Sequence, residues 1–305
     1  MNPSSRPPTP VDVLSIGHAS HDLVFSLAHH PEADEKTTAD KLLSCGGGPA
    51  ANAAVTVARL GYKAAFSGYL GNDIYGDNHL KELQAETVDT RWIVRGASPT
   101  PLSVVLVKPD GKRALISYKG ETLALPAHSI DFSGLCPKVV LFDGHEPQLA
   151  LSFLQQTRSN LPSVLDAGSL HDGTVALMDK VEYLVCSEKF ALQYAGDAIA
   201  ALSRLILLAP VVVITLGERG LIWRRGAESG SLPAPPVSAV DSTGAGDAFH
   251  GAFAAAVAAG LDWLAILHYA SVAGAFCCTQ TGARRGLPNR QQHQALAQQW
   301  RQNQD

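Results

Sequence analysis

The run Asp241-Ser242-Thr243-Gly244-Ala245-Gly246-Asp247-Ala248-Phe249-His250-Gly251 gathers the residue types for one kind of chemistry into eleven positions. Gly244, Ala245 and Gly246 are small enough for backbone N–H groups to approach a ligand closely. Residues 252–259 are apolar and alanine-rich, so a helix follows. Donors at a helix start lack intrahelical partners and sit at the positive end of its dipole, which suits a phosphate or a developing phosphoryl charge. Asp247 comes directly after them. A carboxylate there can take a proton from a hydroxyl nucleophile while the amides hold the transferring group. As single residues, Asp241 and Asp247 also read as helix caps; the whole string argues for the chemical role.

The elements that must position this run alternate. Residues 11–16 form a short apolar run ending at Gly17 and read as a buried strand, and residues 23–27 continue with strand character. Residues 29–40 are polar, and Gly46-Gly47-Gly48-Pro49 then opens an alanine-rich helix over 50–60, capped by Gly61. Residues 64–69 read as a strand, Gly71-Asn72-Asp73 as a turn and 77–86 as a helix. Residues 102–108 and 114–118 flank Pro109-Asp110-Gly111-Lys112, a hairpin signal. Further apolar strands fall at 138–143, 163–166, 183–186 and 211–216, with helical segments between them and a polar, glutamine-rich helix over 291–304. Strands alternating with helices imply an α/β fold with a mostly parallel sheet covered on both faces, and ligands bound at the carboxyl ends of its strands.

Composition narrows the class. A chain of 305 residues with 46% hydrophobic and 17% charged residues can bury a large core. A net charge of −4 gives no global pull toward nucleic acid or an anionic membrane. The five cysteines include no CxxC pair, so a reducing, cytoplasmic setting is expected, and the neighbours Cys277 and Cys278 read as helix-core residues. Residues 1–10 hold four prolines and no apolar h-region and read as a floppy tail. The apolar stretch 251–278 is broken by Gly260, Asp262, Trp263 and His268 and fits two packed helices better than a membrane span.

The eleven-residue run resembles the C-terminal signature of the PfkB, or ribokinase-like, carbohydrate kinases. Gly46-Gly47-Gly48-Pro49-Ala50-Ala51-Asn52-Ala53-Ala54, followed by Ala58-Arg59-Leu60-Gly61, is similar to the N-terminal signature. Val213-Ile214-Thr215-Leu216-Gly217-Glu218-Arg219-Gly220 resembles the family's nucleotide loop. The matches span roughly residues 11–288. The resemblance implies a Rossmann-like kinase domain (11–16, 45–96 and 121–305) and a small β lid (17–44 and 97–120) that closes over the sugar and excludes water. In many relatives the lid also joins two copies.

The roles implied by the resemblance fall on single residues. Asp247 matches the catalytic base, and Gly244, Ala245 and Gly246 the anion hole. Asp22, Gly47, Gly48 and Asn52 match the sugar-contacting positions; Asn52 both donates and accepts, which suits a polyol. Glu146, after a strand, stands where relatives place another sugar-binding carboxylate, although a plain surface loop is the other reading. Thr215, Gly217 and Gly220 match the nucleotide loop, with Ser187 beside it. Ser271 lies near the adenine side in relatives, or packs in the core. Asp241, Thr243 and Gly282 correspond to a monovalent-cation loop that takes potassium. ATP, Mg2+ and potassium are the implied cofactors. One departure concerns Mg2+: relatives often carry Asn-x-x-Glu after the strand that here ends near Cys186, whereas this chain has Ser187-Glu188-Lys189-Phe190, with Glu188 as a substitute.

The glycine run lacks the lysine that sugar-phosphate kinases of this family often place there. The nearest resemblance is to the sulfofructose kinase, ketohexokinase and fructokinase side, and an unmodified ketose or pentose is the expected acceptor. Alternatives are a nucleoside kinase, a sugar-phosphate or sulfosugar kinase, and a non-catalytic binding protein. Arg284 and Arg285 read either as oxyanion clamps or as surface arginines. His250 reads as a packed helix residue or a ligand contact.

Overall fold

The computed structural model describes residues 9–109, 113–157 and 160–302. In chain order the elements are β1 (Thr9–Ile16), β2 (Ser20–Ser26), β3 (Lys41–Gly47), α1 (Pro49–Arg59), β4 (Ala64–Gly71), α2 (Ile74–Ala85), β5 (Asp89–Gly96), β6 (Leu102–Val107) and β7 (Arg113–Tyr118). Then come β8 (Leu135–Phe142), α3 (Pro147–Gln156), β9 (Ser163–Ala167), α4 (Asp172–Leu177), β10 (Tyr183–Ser187), α5 (Glu188–Ala195), α6 (Ala198–Leu205) and β11 (Val211–Thr215). The chain ends with β12 (Leu221–Arg225), β13 (Glu228–Leu232), α7 (Ala245–Ala258), α8 (Trp263–Cys277), α9 (Ala283–Gly286) and α10 (Arg290–Gln302).

The main sheet has the order β13-β12-β11-β10-β9-β8-β1-β4-β5. The strands from β11 across to β5 are parallel, and β12 and β13 add an antiparallel edge. The fold is therefore the expected ribokinase-like α/β arrangement. Alternation along each strand feeds two cores. On β1, Val13 packs toward α1, α7 and α8, whereas Leu14 and Ile16 pack toward the face covered by α3, α5 and α6. The chain builds outward from β1 in one direction and from β8 in the other, so the crevice between these neighbours is the topological switch point.

A second sheet, β3-β2-β6-β7, forms from two excursions of the chain, one after β1 and one after β5. These are the segments expected to make the lid. Its β3 runs on through Gly46 and Gly47, so the glycine run begins inside a strand rather than after one. β1 likewise starts at Thr9, within the stretch expected to be tail; residues 1–8 lie outside the described residues, as does the expected turn at 110–112.

Local chemistry explains several boundaries. In α1, Gly48 precedes Pro49 at the first helical position, and Gly61 closes the helix at φ 89° with the paired bonds of a Schellman motif. α2 starts at Ile74, three residues before its expected start, because Asp73 is a cap that accepts the Gly76 N–H at 2.8 Å, not a turn residue. β5 was not expected; its two arginines masked an edge strand that pairs with β4. The stretch expected to be two packed helices is α7 against α8. Among the described residues, no helix is long and apolar enough to cross a membrane.

Candidate active site

α7 begins at Ala245, with Gly244 as its N-cap in the left-handed region at φ 80°. A Cβ on Gly244 would press into Ala283 at 2.6 Å, so both the backbone angle and the close approach require glycine. The first intrahelical bond runs from Ala248 N–H to Gly244 O, which leaves the amides of Ala245, Gly246 and Asp247 ahead of it. Gly246 is exposed, and the Ala245 amide leans back 3.3 Å to Ser242 O. Asp247 sits in the first turn beside these amides. Burial pushes its carboxyl above the usual aspartate range, and the bond from Asn52 Nδ2 to Oδ2 at 2.6 Å opposes that shift.

Asn52 comes from α1, 195 residues earlier in the chain. Asp22, on lid strand β2, opposes Cys45 on β3. A Cβ on Gly47 would land inside the Asp22 carboxylate, so this glycine makes room for the acid. Gly48, at φ 93°, lies tight against His18 O. Burial raises Asp22 to about 6, with a hydrogen bond from Ser20 working the other way. Glu146 is buried and raised to about 7 by desolvation, and its Oε2 accepts the Leu125 N–H at 2.5 Å. It lines a small cavity between lid and core together with His18, Tyr69, Pro101, Lys119 and His145. The surface-loop reading of Glu146 does not hold.

Ser187 ends β10, caps α5 and stands opposite Thr215 at the end of the neighbouring β11. Gly217 and Gly220, both at positive φ, shape the turn that follows. Glu188 pairs with Arg219 across this loop. Ser271 lies 8% exposed in α8, consistent with core packing, and no described bond ties it to the β10–β11 loops. Asp241 fastens two loops: Oδ1 accepts from Thr243 N and Oγ1 at 2.9 and 2.6 Å, and Oδ2 accepts from Gly282 N at 2.8 Å.

Several residues at the site were not singled out from the sequence. Asp143, at the switch point, accepts the N–H groups of His18, Ala50 and His145 at 2.7, 3.1 and 2.9 Å. It thereby ties the turn after β1 to the start of α1. Its position at the end of β8 was the available signal. Arg113 reaches from the lid to Thr243 Oγ1 at 2.5 Å and lies 3.6 Å from Asp241. Asp166, buried on β9, lies 3.2 Å from His250 Nδ1, and burial holds its carboxyl well up. His250 also faces Gly246 O at 2.6 Å and Val185 O at 3.1 Å, so it is the packed histidine, fastened to the backbone at the start of α7. Arg285 is exposed, but Arg284 is 3% exposed, which overturns the surface reading for that arginine. Its guanidinium faces Asn52, His79 and Glu82. These longer-range partners come from distant sequence, which no local pattern encodes.

Known proteins resemble the chain along nearly its whole length. The profile of the pfkB family carbohydrate kinases matches residues 11–290. The ribokinase of Bacillus subtilis is 28% identical over 291 residues, covering 93% of this chain and 99% of that protein. The deoxyribokinase of Salmonella typhi is 25% identical over 297 residues, covering 92% and 97%. The solved structure of Arabidopsis thaliana ribokinase complexed with ribose and ATP superposes with a TM-score of 0.82 at 24% identity, covering 95% of this chain and 99% of that one. The chain belongs to the PfkB family of carbohydrate kinases, phosphotransferases that act on sugar hydroxyls.

Proposed function

We propose that this protein transfers the γ-phosphoryl group of Mg-ATP to a hydroxyl of a small, unmodified sugar, a pentose or ketose, with Asp247 as the base. The observation that carries the reading is the meeting of Asp247 with the N-terminal amides of α7 and with Asn52. The sugar is held by Asp22, Asn52 and Glu146, with Gly47 and Gly48 bringing backbone close. As its hydroxyl oxygen bonds to the γ-phosphorus, the bond to the β–γ bridging oxygen breaks and ADP leaves. The hydroxyl proton passes to Asp247, and the exposed Gly246 amide at the start of α7 faces the charge on the transferring group. Ser187, Thr215, Gly217 and Gly220 hold the nucleotide.

Mg2+ arrives with ATP. An ion of this kind keeps several waters and is bound through one or two carboxylates and the substrate phosphates. Glu188 is already paired with Arg219, so its part in ordering that water is indirect. The loop of Asp241, Thr243 and Gly282 would attract a monovalent cation through the buried Asp241 carboxylate, although the backbone groups bonded to that carboxylate are N–H donors. Potassium there would supply positive charge behind the amides. Arg113 brings a second positive charge to the same carboxylate.

Arg284 supports an acceptor without its own phosphate or sulfonate, since its nitrogens face protein groups rather than open space. A nucleoside acceptor is the second reading. It is favoured by the imidazoles of His18 and His145, which line the cavity with ring centroids 5.0 Å apart. The exposed apolar residues of the lid, Leu42, Leu115, Ile116 and Tyr118, support a homodimer through that sheet. ADP release measured across ribose, deoxyribose, fructose, fructose 6-phosphate and adenosine tests the assignment. Turnover with a free sugar is expected; turnover with adenosine alone favours the second reading, and none with any acceptor sinks both.

A further inference from the structure

Arg284 lies in the short α9, beyond both signature stretches, and its side chain is 4% exposed. A buried guanidinium is costly to hold unless it serves a partner. Its backbone is fixed independently, because Arg59 Nη1 donates to Arg284 O and Leu287 O, both at 2.8 Å. Its side chain points inward, beneath the glycine run: a Cβ on Gly46 would crowd Nη2. Nε reaches Asn52 Oδ1 at 3.2 Å, Nη2 reaches His79 Nε2 at 3.2 Å, and Nη1 stands 3.4 Å from Glu82 Oε1.

The contact with Asn52 has a logical consequence. An asparagine amide can turn over, exchanging its oxygen for its nitrogen, and only its neighbours fix which end faces where. Arginine has no acceptor and donates at every nitrogen. Asn52 must therefore turn its oxygen to Arg284 and its NH2 to Asp247, as the 2.6 Å bond to Asp247 Oδ2 requires. Reversed, the amide would set donor against donor at Arg284 and oxygen against oxygen at Asp247.

Resting on the kinase reading above, we propose that Arg284 is a positioning residue that locks the Asn52 amide so that it donates to the base. That donation stabilises the ionised form of Asp247 and commits Oδ2, leaving Oδ1 for the acceptor hydroxyl. Without Arg284 only Asp247 itself holds the amide against reversal, so the donor that offsets the burial of Asp247 is held less firmly. The other charged or titratable groups around Asp247 are His250 on its own helix, Arg113 from β7, Asp143 after β8, Asp166 on β9, Asp22 on β2 and Cys277 on α8. The substitutions below leave all of them in place.

The test is kcat against pH with a productive sugar for the wild type, Arg284→Gln, Arg284→Lys, Asn52→Ala and the Arg284→Gln/Asn52→Ala double variant. A hydrogen bond to a charged group corresponds to about one pH unit in the acidic limb. Arg284→Gln is expected to raise that limb by about one unit and so to lower kcat by about tenfold on the acid side of the wild-type limb, with KM for ATP unchanged. Lysine, which also only donates, recovers part of the shift. In the Asn52→Ala background, Arg284→Gln adds less than about twofold, because the two act as one unit. Multiplying effects, or a uniform loss with the limb unmoved, overturn the proposal. Should Arg284→Gln not fold, Asn52→Ala alone decides: a limb that stays at its wild-type position overturns the proposal. A wild type inactive on every sugar would instead remove the kinase reading itself.

Discussion

Replacing Asp247 by asparagine separates chemistry from binding. The side chains have nearly the same shape, so the bond from Asn52 Nδ2 at 2.6 Å has an oxygen to meet in either case. With that oxygen engaged, the new NH2 turns toward the acceptor hydroxyl, where the wild type offers Oδ1. The hydroxyl then meets a donor in place of a proton acceptor. Loss of a positioned base costs about 100- to 10,000-fold. The upper half of that range is expected here, because burial makes Asp247 a stronger base than a solvated aspartate. Folding should not suffer. A neutral amide relieves the desolvation of the carboxylate and forfeits only the favourable charge at the start of α7, worth about 0.3–1 kcal/mol. The assay is coupled ADP release at saturating sugar and ATP, with thermal melting and nucleotide affinity alongside. The same argument sets the pH profile of the wild type. Activity needs ionised Asp247, so it is present above the raised pKa and is lost as pH falls through it. A kcat within about tenfold of wild type, or a loss matched by a collapse in nucleotide affinity, would refute the reasoning.

Other substitutions probe other parts of the site. Glu146, raised to about 7 by burial, binds a proton in the folded chain at pH values where the unfolded chain has released it. Its contribution therefore favours folding in acid and is lost as pH rises between the ordinary glutamate value of 4.5 and about 7. Glu146→Gln should flatten the difference in melting temperature between pH 5 and pH 8, worth at most about 3 kcal/mol, and raise KM for sugar; an unchanged difference rejects this. Arg113→Ala removes one of the two positive charges available to Asp241, so stimulation by potassium at constant ionic strength should grow at least several-fold; an identical potassium response counts against the shared role. Ile116→Asp on the lid edge should turn a dimer into a monomer in sedimentation measurements, and a monomeric wild type would dismiss the lid interface.

The sequence made the strands of the main sheet legible wherever both faces are buried, because continuous apolar runs such as Val211–Thr215 have few other uses. It hid β5, whose charged residues Asp89, Arg91 and Arg95 break the apolar pattern, although Arg91 pairs with Asp89 on the same strand and Arg95 with Asp77 on α2. Asp247 and its amides could be read because the whole device lies within one turn of helix. Asp143 and Arg284 could not, since what they do depends on His18, Ala50 and Asn52, which are far off in sequence. Arg284 shows the limit most clearly: its neighbour Arg285 is the same residue type and faces solvent. Only the packing of α9 against β3 distinguishes them.

The bond between Asn52 and Asp247 spans 195 positions, and that between Asn52 and Arg284 spans 232. During synthesis the glycine run and the first part of the lid leave the ribosome long before the acid that gives them purpose. On the proposed reading, a nascent or prematurely released chain would hold parts of a sugar cradle without the base, so catalytic competence would be among the last properties the growing polypeptide acquires.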